Sequence, residues 1–291
     1  MIDATAPNSS SVDAAADGSA HAQQAVAANA PTAAAAAAPT RGHDLALVEA
    51  LWWRDVLRLK RERSRWLGLV AQPLLLWALL GLGFADSFAV PGAAGVSSLT
   101  YMFPGILAMV LLFTSIFSTM SVIEDRNSGF LQAVLVSPAS PLALVAGKTA
   151  GVTTIVLVQT ALFLLVAPLA GYAWSAIHWP MLLLVLLLAN TALTCVNFVF
   201  AWLLNSTQAY HALMGVVLMP LWMISGAMFP PPSGWFGNVV AVNPMAYGVA
   251  GLRHALGEPA GAVASLPVTL AVLAALTAGA AAAAARVTQR R

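Results

Sequence analysis

Glu124, Asp125 and Arg126 stand side by side, and with Lys148 they are the only formally charged residues between Asp86 and Arg253. Carboxylates next to a guanidinium suit charge-assisted hydrogen bonds, either to water around a solvated loop or to a soluble protein partner. A second set is uncharged. Asn190, Thr194 and Asn197 recur at steps of four and three, Thr114, Ser118 and Ser121 do so further upstream, and Gln72 and Gln159 stand in other apolar runs. Hydroxyls and amides in that pattern fit two roles: lining a path for a substrate with hydroxyl or amide groups, or hydrogen bonding between helices. No histidine and carboxylate pair falls within the apolar runs, so acid, base and nucleophile chemistry lacks a constellation, and no metal site or cofactor is expected. Gly147-Lys148-Thr149 imitates the end of a phosphate-binding loop, but that motif needs a glycine where the chain has Leu142. Lys148 instead reads as a snorkelling residue at a helix start, and Gly147 with Gly151 as a close helix contact.

The elements that must position these residues are apolar. The chain is 60% hydrophobic and 8% charged, against about a quarter charged in soluble domains. The fold class expected is all-α, a polytopic membrane protein. A spanning helix needs about 20 predominantly apolar residues, and six such runs lie near 66–85, 101–123, 144–170, 180–204, 210–229 and 264–285. Residues 44–65 place Leu45, Val48, Trp52, Val56 and Leu59 on one face of a basic helix, which predicts an amphipathic interface helix. Residues 1–43 are Ala-rich, carry almost no large apolar side chain, lack the basic start of a secretory signal and should be disordered. The net charge of +2 comes from basic residues beside the spans, so nucleic acid is not the expected partner; membrane lipid is. The single cysteine, Cys195, allows no intrachain disulfide.

Lys and Arg counts give the orientation. Arg54, Arg58, Lys60, Arg61, Arg63 and Arg65 precede the first run, Arg126 and Lys148 lie between the second and third, and Arg286, Arg290 and Arg291 follow the sixth. With six spans these share one side, so both termini and the segment 124–148 are expected in the cytoplasm. The opposite side holds a Pro-, Gly- and Trp-rich segment, 230–263, expected to contain a short re-entrant helix with Arg253 snorkelling outward. Trp235, Asn243, Pro244, Tyr247 and Arg253 are candidates for an outer gate; simple anchoring at the interface is the alternative.

The order Glu124-Asp125-Arg126, Gly129, Leu135, Ser137-Pro138, Ser140 and Gly147-Lys148, followed by Ser225-Gly226-Ala227-Met228-Phe229-Pro230, Asn243-Pro244-Met245, Tyr247 and Gly251-Leu252-Arg253, resembles the permeases of type-2 ATP-binding-cassette exporters. That family includes drug-resistance and nodulation-factor exporters, and the resemblance covers roughly residues 45–290. It implies a multi-pass permease of a bacterial plasma (inner) membrane, working as a dimer of permeases with a separate soluble ATPase and exporting an amphipathic substrate such as a drug, glycolipid or lipid-linked saccharide. It also implies a coupling helix in 124–148, with Glu124, Asp125, Arg126, Gly129, Phe130, Leu131, Leu135 and Pro138 as candidate contacts to the ATPase. The absence of ionisable residues from the middle of the runs agrees with an external energy source. An intramembrane lipid-modifying enzyme and a membrane scaffold without transport activity are the competing readings.

Overall fold

Proline and small capping side chains decide where the apolar runs become helices. Ser97 opens one helix by accepting a hydrogen bond from the Thr100 amide, Ser140 opens another through Ala143 with Pro141 in the first turn, and Asn243 opens a third through Met245 with Pro244 behind it. A proline in the first turn sacrifices no helical hydrogen bond, because those N–H groups have no partner within the helix. The computed structural model describes residues 41–61, 63–85, 95–135, 137–231 and 234–289, without the side chains of 41, 63–67, 69, 133 and 135. The expectation of disorder in 1–43 therefore lies almost wholly outside the described residues.

The helices are α1 (Arg41–Arg61), α2 (Arg63–Gly83), α3 (Ser98–Asn127), the six-residue α4 (Phe130–Leu135), α5 (Pro141–Leu164), α6 (Trp179–Leu203), α7 (Thr207–Ala227), α8 (Trp235–Val242), α9 (Pro244–Leu256) and α10 (Leu266–Gln289). No strand occurs among the described residues. α3 is the core: Tyr101, Met102, Phe103, Ile106, Leu107 and Leu112 are fully buried. α5 runs antiparallel to it, pairing Lys148 with Ser121 and Phe163 with Phe103. α7 is antiparallel as well, with Tyr210 beside Thr119 at one end and Trp222 donating to the Gly105 carbonyl near the other. α6 carries α10 alongside it, Thr277 donating to the Leu188 carbonyl.

Among the described residues, five helices are long and apolar enough to cross a membrane: α3, α5, α6, α7 and α10. The first expected run, 66–85, lies largely in α2, whose described side chains from Val70 to Gly83 are predominantly apolar.

α7 is not regular. Pro220 has no N–H to give to the Val216 carbonyl, and the preceding turn, Met214–Leu218, widens to π geometry. A second π turn, Met223–Ala227, ends at Gly226 with φ +77°, a left-handed conformation that glycine adopts without steric cost.

α1, described over Arg41–Arg61, contains most of the expected interface helix. It lies along α5 in the same direction: Asp44 meets Ser140, Leu51 lies against Gly147, and Asp55 against Gly151. The two glycines do make the predicted close contact, and α1 is the helix that approaches.

Candidate functional site

The segment after α3 is built by a tight helix stop. The Ser128 amide donates to the Glu124 carbonyl at 2.9 Å, the Gly129 amide to Arg126 at 3.1 Å, and Gly129 takes φ +79°, so the chain reverses directly into α4. The three charges at this stop go different ways. Glu124 is exposed. Asp125 is buried and accepts from Arg54 Nη2 at 2.7 Å, with Arg58 Nη2 4.0 Å away. Arg126 closes the end of α6, donating to the carbonyls of Trp202 at 2.7 Å and Leu204 at 3.2 Å and to Asn205 Oδ1 at 3.0 Å, while lying over the Trp202 ring. A cation at a helix C-terminus satisfies its last carbonyls and its dipole together.

On α4, Phe130 is 40% exposed and Leu131 only 4%. Leu131 is thus committed to its own bundle, and Phe130 alone of that pair faces outward, under the Arg54 guanidinium at 4.7 Å from its ring. Pro138 is exposed beyond α4, while the side chain of Leu135 lies outside the described residues.

Lys148 overturns its expected role. It is 4% exposed and donates to Asp55 Oδ2 at 2.8 Å and Ser121 Oγ at 2.9 Å, so it pins α1, α3 and α5 together instead of snorkelling. The reason is a partner that spacing on α5 could not reveal. Asp55 lies one helical turn from each of Leu51 and Leu59, both buried, which sets a carboxylate into the apolar face of a basic helix. A buried charge needs a counter-charge and hydrogen bonds. That misfit on α1 was the available signal. Asp44, whose two carboxylate oxygens accept from the Ser140 amide at 2.6 Å and hydroxyl at 3.0 Å, and Trp52, which donates to Thr154 Oγ1 at 2.9 Å, complete the attachment of α1.

The uncharged polar residues divide into two groups. Asn190 Nδ2 donates to Thr153 Oγ1 at 2.7 Å, Asn197 Nδ2 to Ser115 Oγ at 2.8 Å, and Thr194 Oγ1 lies 3.5 Å from Asn190 Oδ1. All three residues are buried, so the α6 stripe joins α6 to α3 and α5; of its two sequence readings, interhelical bonding is the one this geometry fulfils. Gln159 is likewise taken up by the Thr114 hydroxyl. Gln72 and Ser118, together with Thr114, line a half-open cavity of about 610 Å³ among α1, α2, α3 and α5. Asp55, Arg58 and Glu124 share its wall, so it combines a polar, charged rim with apolar contributions from Phe117 and Ile155.

At the opposite end of the bundle, Trp235 is 77% exposed and Tyr247 donates to the Ala241 carbonyl at 2.8 Å. Asn243 caps α9 and also reaches the Leu221 carbonyl of α7 at 2.6 Å, with Pro244 starting α9. Arg253 does not snorkel. It is fully buried, its Nη1 donating to the Tyr101 carbonyl at 3.0 Å and its Nη2 to Gly226 at 2.9 Å, because α9 folds back against α3 and the broken end of α7. Nearby, the Tyr172 hydroxyl donates to the Thr100 carbonyl at 2.9 Å, and burial pushes its pKa up, keeping it a neutral donor.

The chain is similar to known transport proteins. Over 214 residues the chain is 25% identical to a protein of Porphyra purpurea named as a transport permease, ycf38, covering 71% of this chain and 72% of that one. Over 217 residues it is 26% identical to nodulation protein J of Rhizobium meliloti (strain 1021), covering 72% and 81%. The family model for the ABC-2 type transporter matches residues 46–256, from α1 to the end of α9. The chain belongs to the ABC-2 type transporter family and is a transport permease, a membrane subunit.

Proposed function

We propose that this chain is the permease subunit of an ATP-driven exporter of amphipathic substrates, working as a homodimer in a bacterial inner membrane with both termini in the cytoplasm. ATP is hydrolysed by a separate soluble subunit that docks on the end of the bundle formed by Glu124, Gly129, Phe130 and Pro138. The observation that carries this reading is the division of labour around α4. Asp125, Arg126 and Leu131 are spent on holding the hairpin rigid, while Glu124 and Phe130 are left facing outward. A rigid hairpin with an exposed aromatic anchor suits a site that must receive motion and pass it to α3 and α5.

Substrate enters through the cavity lined by Gln72, Thr114 and Ser118, where a polar headgroup meets the charged rim and an apolar tail meets Phe117 and Ile155. The test is reconstitution of the permease with its ATPase in lipid vesicles. ATP-dependent movement of a labelled amphiphile is expected, reduced when Phe130 is replaced by alanine. Movement that is independent of ATP, or unaffected by F130A, contradicts the reading.

A further inference from the structure

Arg253 is a buried cation with no direct ion pair among the described residues, the Glu258 carboxylate favouring its charge only from further away. Its guanidinium lies 3.7 Å above the Tyr101 ring and bonds two backbone carbonyls, Tyr101 and Gly226. The Tyr101 hydroxyl donates to the same Gly226 oxygen at 3.1 Å. That oxygen is available because α7 leaves helical geometry at Gly226. One residue further on, the Ala227 backbone packs so closely on Gly105 of α3 that no Cβ fits between them.

Three elements therefore meet at one carbonyl: the start of α3, the broken end of α7, and α9. α9 is only 13 residues long, too short to span, and Asn243 ties its other end to α7 at Leu221. Burying a guanidinium is costly, and contacts to neutral carbonyls and a ring offset less of that cost than a carboxylate would. Such contacts are also the kind that water replaces readily once the site opens.

We propose that Arg253 is a releasable latch: it holds the broken end of α7 closed against α3, and outward opening carries the guanidinium away from the Gly226 carbonyl. The proposal rests on the permease reading and on the orientation given above. Arg253 is a positioning residue in this scheme and touches no substrate.

The test uses Met228, buried beside the break, as a reporter. In the full-length complex carrying C195A and M228C, a membrane-impermeant maleimide applied from the extracytoplasmic side should label slowly. R253A should raise that rate roughly tenfold, the usual scale for losing a buried hydrogen bond to a charged group. R253K and Y101F should each give a smaller rise, one by keeping the charge and the other by removing the second donor. A non-hydrolysable ATP analogue should accelerate labelling of the parent and add little to R253A. In a parallel complex that keeps native Cys195 and lacks M228C, that thiol, buried in α6, reports general loosening and should stay unlabelled with and without R253A.

Unchanged labelling in R253A overturns the latch, as does a parallel rise at Cys195 or an undiminished response of R253A to the analogue. If R253A fails to reach the membrane, R253K and Y101F carry the test, and no change in both overturns it. The labelling rise in the mutants needs neither substrate nor ATP. A complex that labels as expected yet moves nothing sinks the transport reading and spares the latch, and the reverse result sinks the latch alone.

Discussion

Lys148→Met leaves the Asp55 carboxylate inside the α1–α5 interface without its nearest cation. Breaking a buried pair from one side costs about 3–5 kcal/mol, because an uncompensated charge remains in low dielectric. The structure argues for the low end. Arg54 Nε still stands 4.0 Å from Asp55 Oδ1, although that guanidinium is already engaged by Asp125. A loss of ~3 kcal/mol corresponds to a melting-temperature drop of roughly 6–12 °C for a chain of this size. The double replacement D55L/K148M removes both charges and keeps apolar bulk, so it should return to within about 1 kcal/mol of the parent. Thermal unfolding of the four purified proteins of this cycle, in one lipid nanodisc preparation, measures the coupling directly. If K148M melts within a degree or two of the parent, or if the double variant is as unstable as the sum of the single ones, the buried-pair reasoning is wrong. A lysine that merely snorkelled would cost no more than about 0.5 kcal/mol.

Other positions give sharper or milder outcomes. Gly105→Ala drives a Cβ into the Ala227 backbone, where no flexible side chain can give way, so folded protein recovered from membranes should fall severely by size-exclusion chromatography. Gly129→Ala meets nothing within 4 Å and pays only for its left-handed φ, about 1–2 kcal/mol, readable as a modest melting shift. Phe130→Ala should cost no more than about 1 kcal/mol of stability, the scale of its contact with Arg54. Its effect on ATPase binding should be larger, about 2 kcal/mol or roughly thirtyfold in Kd by titration, as for an interface anchor.

Much of the fold was legible because lipid imposes a uniform demand. Among the described residues five of the six apolar runs are helices of spanning length and the first lies in α2, and the Ser140-Pro141 and Asn243-Pro244 starts sit where capping chemistry puts them. Misreadings arose where a residue's partner is remote in sequence. Lys148 meets Asp55 across 93 positions and Arg253 meets Tyr101 across 152, so neither contact leaves a trace in local periodicity. Each cation was therefore assigned to water, although the low charge of the chain already made every buried partner valuable. Asn190, Thr194 and Asn197 were readable as a stripe, but only the facing residues Thr153 and Ser115 decide that the stripe joins helices. Asp55, on the apolar face with Leu51 and Leu59, was the clearest overlooked sign.

The central claim is that a soluble ATPase docks on the α3–α4 turn. A photo-crosslinking phenylalanine analogue placed at Phe130, and separately at the exposed Trp235 on the opposite end of the bundle, tests it most directly. In the assembled complex, position 130 should give an adduct with the ATPase subunit and position 235 should give none. An adduct from position 235, or none from position 130 in a complex that stays intact, would contradict the account.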